Sequence, residues 1–179
     1  MNKKFNPNRK VDKLPYRPVG ECYLLYKNKL IAQDAKHYVS LPGGGIDEGE
    51  SPIKGTTREL MEELGAKLDG KLELISTMEW DWNPEWANNP KRKKRYMQYR
   101  GEKIYSFFGV VKEFVNPTSN EGNAWVGNKF MTLKKAKSLT QKMLDKHTPK
   151  NQYAYNLTKH NIISTLCSVN DKKLIKNMK

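Results

Sequence analysis

Apolar content along the chain first rises over residues 19–26 and again over 30–32, on either side of Lys27-Asn28-Lys29, a pattern that predicts a β-hairpin. A shorter run at 38–41 leads into Pro42-Gly43-Gly44-Gly45. Three successive glycines favour neither helix nor strand, so the chain bends there. Ser51 can cap a helix with Pro52 at its first position, and Gly65 can end it, which predicts a helix over Pro52–Leu64. On that helix Ile53, Thr57, Leu60 and Leu64 share a stripe expected to pack, while Glu59, Glu62 and Glu63 share another. Gly55, a poor helix former, falls in its middle at a cost of roughly 1 kcal/mol.

Further along, the pattern predicts strands at about 72–78, 104–111 and 129–132, then helices at about 133–145 and 152–168. Between the first two strands lies a polar and aromatic segment, 79–102, longer than the dozen or so residues typical of a plain connection and therefore a place to seek substrate contacts. No internal repeat interrupts this order. The chain divides into a basic N-terminal arm (1–15), one domain (16–168) and a basic C-terminal tail (169–179) expected to fray.

Composition narrows the function classes. Only Cys22 and Cys167 are present, too few for a disulfide framework or a zinc site, so a reducing cytoplasm is expected. No stretch approaches the roughly 18 apolar residues of a membrane span, and no apolar segment follows the N-terminal charges, so neither membrane insertion nor export is expected. Lys and Arg number 33 against 19 Asp and Glu, a formal charge of +14 that makes nucleic acid a candidate partner, although many lysines serve equally well to solvate a surface.

The chemistry concentrates in one stretch. From Gly44 the chain reads glycine, five residues, Glu50, seven residues, Arg58-Glu59-Leu60, one residue, Glu62-Glu63, one residue, Gly65-Ala66. Glu59, Glu62 and Glu63 at i, i+3 and i+4 place three carboxylates on one helical face, a cluster that repels itself without cations. An oxygen-preferring cation that keeps positions for water and phosphate suits such a face beside a glycine loop. An ordinary solvated face with ion pairs, such as Arg58 with Glu62, would explain the glutamates alone; it does not explain Gly44, Glu50 and Gly65 at fixed offsets. Seven such positions, each met about once in 15 residues, coincide by chance with a probability on the order of 10⁻⁸.

This stretch resembles the Nudix box position for position. The resemblance implies an α/β fold, the Nudix-type α/β/α sandwich with a central mixed sheet, and a pyrophosphohydrolase acting on phosphoric anhydrides. It implies that Glu59, Glu62 and Glu63 bind Mg²⁺ or Mn²⁺, one to three ions, that the carbonyl of Gly43 or Gly44 adds a ligand, and that Arg58 orients a glutamate. Glu50 would support the loop. A further glutamate outside the box often completes such sites. Glu121 is the candidate here, with Glu79, Glu102 and Glu113 as competitors. Relatives often form homodimers.

Within 79–102, Trp80, Trp82 and Trp86 precede Lys91, Arg92, Lys93, Lys94 and Arg95, followed by Tyr96, Tyr99 and Arg100. Aromatics interleaved with cations can stack bases and hold phosphates, so Trp82, Lys91, Arg92, Arg95 and Arg100 are candidate substrate contacts; the same composition fits a basic loop with the tryptophans buried under it. The family acts on free nucleoside triphosphates, on dinucleotides or nucleotide sugars such as ADP-ribose, and on the triphosphate or cap at an RNA 5′ end. Charge tilts the expectation towards RNA 5′ ends. A non-catalytic nucleotide-binding module is the alternative that the intact glutamates oppose.

Overall fold

The computed structural model describes residues 11–35, 38–118, 125, 129–146 and 150–177. At its centre β1 (Tyr16–Tyr26) continues through a tight turn into β2 (Lys29–Ile31), the predicted hairpin. Lys27 and Asn28 take positive φ values of 48° and 62°, the signature of a two-residue turn whose twist matches its strands. A small two-stranded ribbon follows, β3 (Gln33–Asp34) with β4 (Val39–Ser40), before the glycine loop and helix α1 (Pro52–Leu64). The rest of the sheet comes from β5 (Ala66–Leu68), β6 (Glu73–Asp81), β7 (Gly101–Phe114) and β8 (Phe130–Thr132).

The sheet is mixed. β7 runs parallel to β1, in register from Tyr16 opposite Gly101 to Leu25 opposite Val110, whereas β5 and β6 both pair antiparallel with the other edge of β7 and β8 pairs antiparallel with β2. Successive β1 residues point to opposite faces. Cys22 and Leu24 join Leu60 and Leu64 of α1 in one core, with Phe107 and Val111 of β7. Tyr23 belongs to a second core with α3 (Leu133–Lys146) and α4 (Tyr153–Asn177), including Ala136, Ile163 and Cys167. Helices therefore cover both faces of the sheet, as expected.

Four details depart from the sequence expectations. The segment 79–102 is not a loop: β6 extends to Asp81, a 3-10 turn occupies Pro84–Trp86, and the basic run forms helix α2 (Pro90–Gln98). Asn89 starts that helix by accepting the Arg92 backbone N–H at 2.9 Å, with Pro90 at the first position. On α1 the buried positions are Gly55, Thr56, Leu60 and Leu64, while Ile53 and Thr57 of the predicted stripe are exposed. Ser51 occupies the cap position but makes no side-chain cap bond. Finally, α4 continues to Asn177, past the predicted end at 168 and into the tail expected to fray.

The position of Gly55 has a packing explanation. α1 lies so close to the glycine loop that a Cβ at residue 55 would come within 2.8 Å of Glu50 Oε2 and 3.1 Å of Ile46 Cγ2. The lost helix propensity is offset by this approach.

Candidate active site

Backbone pairing fixes the glycine loop first. Cys22 N–H donates to the Pro42 carbonyl, Gly20 N–H to that of Gly44, and Ile46 N–H to that of Pro18, so residues 42–46 lie alongside β1. The loop then meets α1. A Cβ on Gly43, whose φ is +138°, would strike the Gly20 carbonyl, so glycine is required there; on Gly44 or Gly45 it would displace the movable ends of Glu59 or Arg17.

Arg58 organises the carboxylates. Its Nε and Nη2 donate to the two Glu50 oxygens at 3.0 and 2.9 Å, and Nη2 also reaches the Gly45 carbonyl at 3.0 Å. Nη1 bridges Glu59 at 3.3 Å and Glu62 at 3.2 Å. The Arg58 hydrogen bonds, with help from the Asp47 N–H, hold the Glu50 carboxyl down at about 2. Glu63 instead accepts the Gly43 N–H at 3.2 Å and a hydrogen bond from the Trp125 side chain. Burial is the largest influence on Glu63 and, with Glu59 and Glu62 nearby, pushes its carboxyl up to about 7; burial likewise raises Glu59 despite Arg58.

These groups line a cavity of about 350 Å³ with two chemically opposite halves. Glu59, Glu62, Glu63 and Gly43 to Gly45 form one; Arg17, Lys91 and Arg95 form the other. Larger hollows of about 520, 500 and 370 Å³ lie beside Phe130, between α3 and α4, and along α1 at Ile53 and Met61, and none of these is lined by a glutamate. Helix α2 delivers Lys91 and Arg95, one turn apart, to the cavity. Burial lowers Arg95, and the adjacent Arg17 lowers it further, with Glu102 and Glu59 relieving part of that repulsion. Arg17 is partly compensated by Glu102, directly opposite it on β7 and 3.4 Å away.

A divalent cation fits the donors of the acidic half: three carboxylates and backbone oxygen, with two of the carboxyls raised by burial and mutual repulsion. Among the described residues no three His, Cys, Asp or Glu side chains already converge as ligands, because Arg58 holds Glu59 and Glu62. Of the two candidate carbonyls, that of Gly44 already accepts the Gly20 N–H, which favours Gly43.

The other candidates fall elsewhere. Arg92 stacks over Trp86 at 5.3 Å and donates to Asn88. Arg100 makes a paired contact with Asp81 at 3.0 and 2.9 Å and lies over the Tyr16 ring. Trp82, expected as a stacking surface for a base, is 4% exposed and packs against Trp86 at 3.6 Å in a small core with Ala87 and Tyr96. Its ring is thus committed to folding. Glu121 lies outside the described residues. Sequence reasoning missed Arg17, which reaches the cavity only through strand pairing, and Trp125, whose backbone N–H also donates to the Glu63 carbonyl at 3.0 Å.

A family model described as NUDIX domain matches residues 8–155. The chain belongs to the Nudix hydrolase family. Nudix hydrolases generally depend on divalent metal, and the reaction class is hydrolysis of a phosphoric anhydride. This Nudix chain is 32% identical over 124 residues to a protein from Brucella anthropi named RNA pyrophosphohydrolase, a match covering 59% of this chain and 69% of that one. It is 24% identical over 149 residues to a Helicobacter pylori protein of the same name, covering 83% and 75%. A third such protein, from Nitratiruptor, matches at 36% over 73 residues, 41% of this chain and 39% of the relative. Among solved structures, a Nudix hydrolase from Nitrosomonas europaea aligns with a TM-score of 0.52 at 14% identity over 82% of this chain and 89% of that one, a likeness of fold.

Proposed function

We propose that this Nudix hydrolase shortens the phosphate chain at the 5′ end of RNA. The observation that carries the proposal is that one cavity is lined by both an acidic and a cationic half. A lone phosphate needs only one of them. A chain of phosphates can present some oxygens to metal on the glutamates and others to Arg17, Lys91 and Arg95, relieving the repulsion on both sides. The names of the Brucella, Helicobacter and Nitratiruptor relatives agree with an RNA end as substrate. A net charge of +14 favours a polymer over a mononucleotide, and a cytoplasmic setting goes with it.

In this mechanism Glu59, Glu62, Glu63 and the Gly43 carbonyl would hold one or more Mg²⁺ or Mn²⁺ ions, which when bound would supply polarisation of the anhydride and a lower cost of presenting hydroxide to phosphorus. Arg58 keeps Nε and Nη2 on Glu50 and the Gly45 carbonyl while Glu59 and Glu62 turn from Nη1 towards the cavity. Gly43 N–H and Trp125 hold Glu63 in place. Water adds at one phosphorus, one bridging P–O bond breaks, and the leaving phosphate or pyrophosphate departs along the cationic half. Glu121 remains the candidate for accepting the water's proton.

The test is product analysis with Mg²⁺ or Mn²⁺ on 5′-triphosphorylated and capped RNA beside nucleoside triphosphates, dinucleotide polyphosphates and ADP-ribose, with Glu62→Gln as control. Preference for RNA ends, lost in the control, supports the proposal. Preference for a small nucleotide replaces the RNA end as substrate, and silence of the wild type on all of them returns the non-catalytic alternative.

A further inference from the structure

Helix α2 does more than supply two cavity residues. It contains five consecutive cations and no acidic residue. At roughly 100° per residue, Lys91 and Arg95 share the cavity-facing side, and Gln98 and Lys94 come next on the open side, followed by Met97. Lys94 and Gln98 are exposed, and Met97 is 42% exposed, high for a side chain of its size and polarity. The opposite side is closed by buried Tyr96 and by Arg92 against Trp86. A strip of cation, amide and exposed thioether therefore leads directly out of the cavity.

From this placement we infer that the exposed side of α2 is a track for the RNA strand behind its 5′ end. Lys94 neutralises a backbone phosphate, Gln98 offers donors and acceptors to a ribose or base edge, and Met97 gives a soft apolar contact for a base. A protein partner would have to supply a dense acidic surface and would meet one apolar side chain. A single strand offers both regularly spaced charge and base faces. The inference rests on the RNA substrate proposed above, and it assigns to α2 the distinction between a polymer and a free nucleotide.

The experiment separates the two proposals by using RNA that cannot react. Fluorescence anisotropy is measured with the full chain and labelled 5′-hydroxyl RNA, as a dinucleotide and at roughly ten nucleotides. The longer RNA is expected to bind more tightly to the wild type. Lys94→Glu should weaken that binding on the order of tenfold and reduce the slope of log affinity against log salt by about 0.7. Lys94→Gln should give a smaller loss in the same direction. Lys71→Glu, an equal charge change at an exposed site at the far end of β6, should shift it less than about twofold, because screening acts over about 8 Å. Equal losses from Lys94→Glu and Lys71→Glu, or none from Lys94→Glu, overturn the track. Hydrolysis of the 5′-triphosphorylated form of the same RNA is scored in parallel. Its absence, with Lys94-dependent binding retained, overturns the reaction and leaves the track standing.

Discussion

Glu50 and Arg58, eight residues apart, meet through two parallel hydrogen bonds of 3.0 and 2.9 Å that fasten the glycine loop to α1. This fork leaves one arm of the guanidinium for Glu59 and Glu62.

Stability should report the fork through pH. Glu50 sits at about 2 when folded against its ordinary 4.5, and a depressed carboxyl contributes stability that is fully present above 4.5 and disappears as pH falls towards 2. Urea midpoints of wild type and Glu50→Gln should differ most at neutral pH and converge as pH drops through that window. A difference constant with pH would show that the Glu50 charge contributes nothing.

Glu62→Gln keeps the shape of the side chain and removes its charge. Turnover should fall by about 10²-fold or more, with the thermal midpoint nearly unchanged because Glu62 is partly exposed and Arg58 retains Glu50. Steady-state kinetics beside a melting curve checks both halves of this expectation.

Trp125→Phe keeps an aromatic ring and deletes the indole N–H that restrains Glu63. Calorimetric titration with Mn²⁺ should show affinity weakened by about 10–100-fold, the range for groups that orient a metal ligand, with KM for substrate little changed. Unaltered Mn²⁺ affinity would reduce Trp125 to a packing residue.

Gly55→Ala sets propensity against packing. In an open helix the change would stabilise by about 1 kcal/mol. Here the new Cβ meets Ile46 Cγ2 at 3.1 Å and the Ile46 backbone at 3.2 Å, so denaturant unfolding should show a net loss of about 1–3 kcal/mol.

Helix α1 is legible in the sequence because its signals are local: Pro52 and Gly65 bracket it, and the glutamates declare their face by spacing alone. Its buried stripe differs from the expected one at Ile53 and Thr57, since β1 approaches α1 from the side of Thr56. In α2 the capping residues Asn89 and Pro90 stand in the sequence, but a run of five cations fits a basic loop as readily as a helix. Trp82 shows a different limit: an indole beside charges suits a core or a surface equally, and only the facing Trp86 and Tyr96 decide. Arg17 was invisible for a third reason, because its place depends on a parallel strand 85 residues away.

The small core of Trp82, Ala87 and Tyr96 supports α2 separately from the two large ones, while Gly43 to Gly45 and α1 are braced by β1. The stretch between β6 and β7 therefore carries a core of its own, and a change in its length or charge leaves intact the packing that holds Glu59, Glu62 and Glu63 beside the glycine loop.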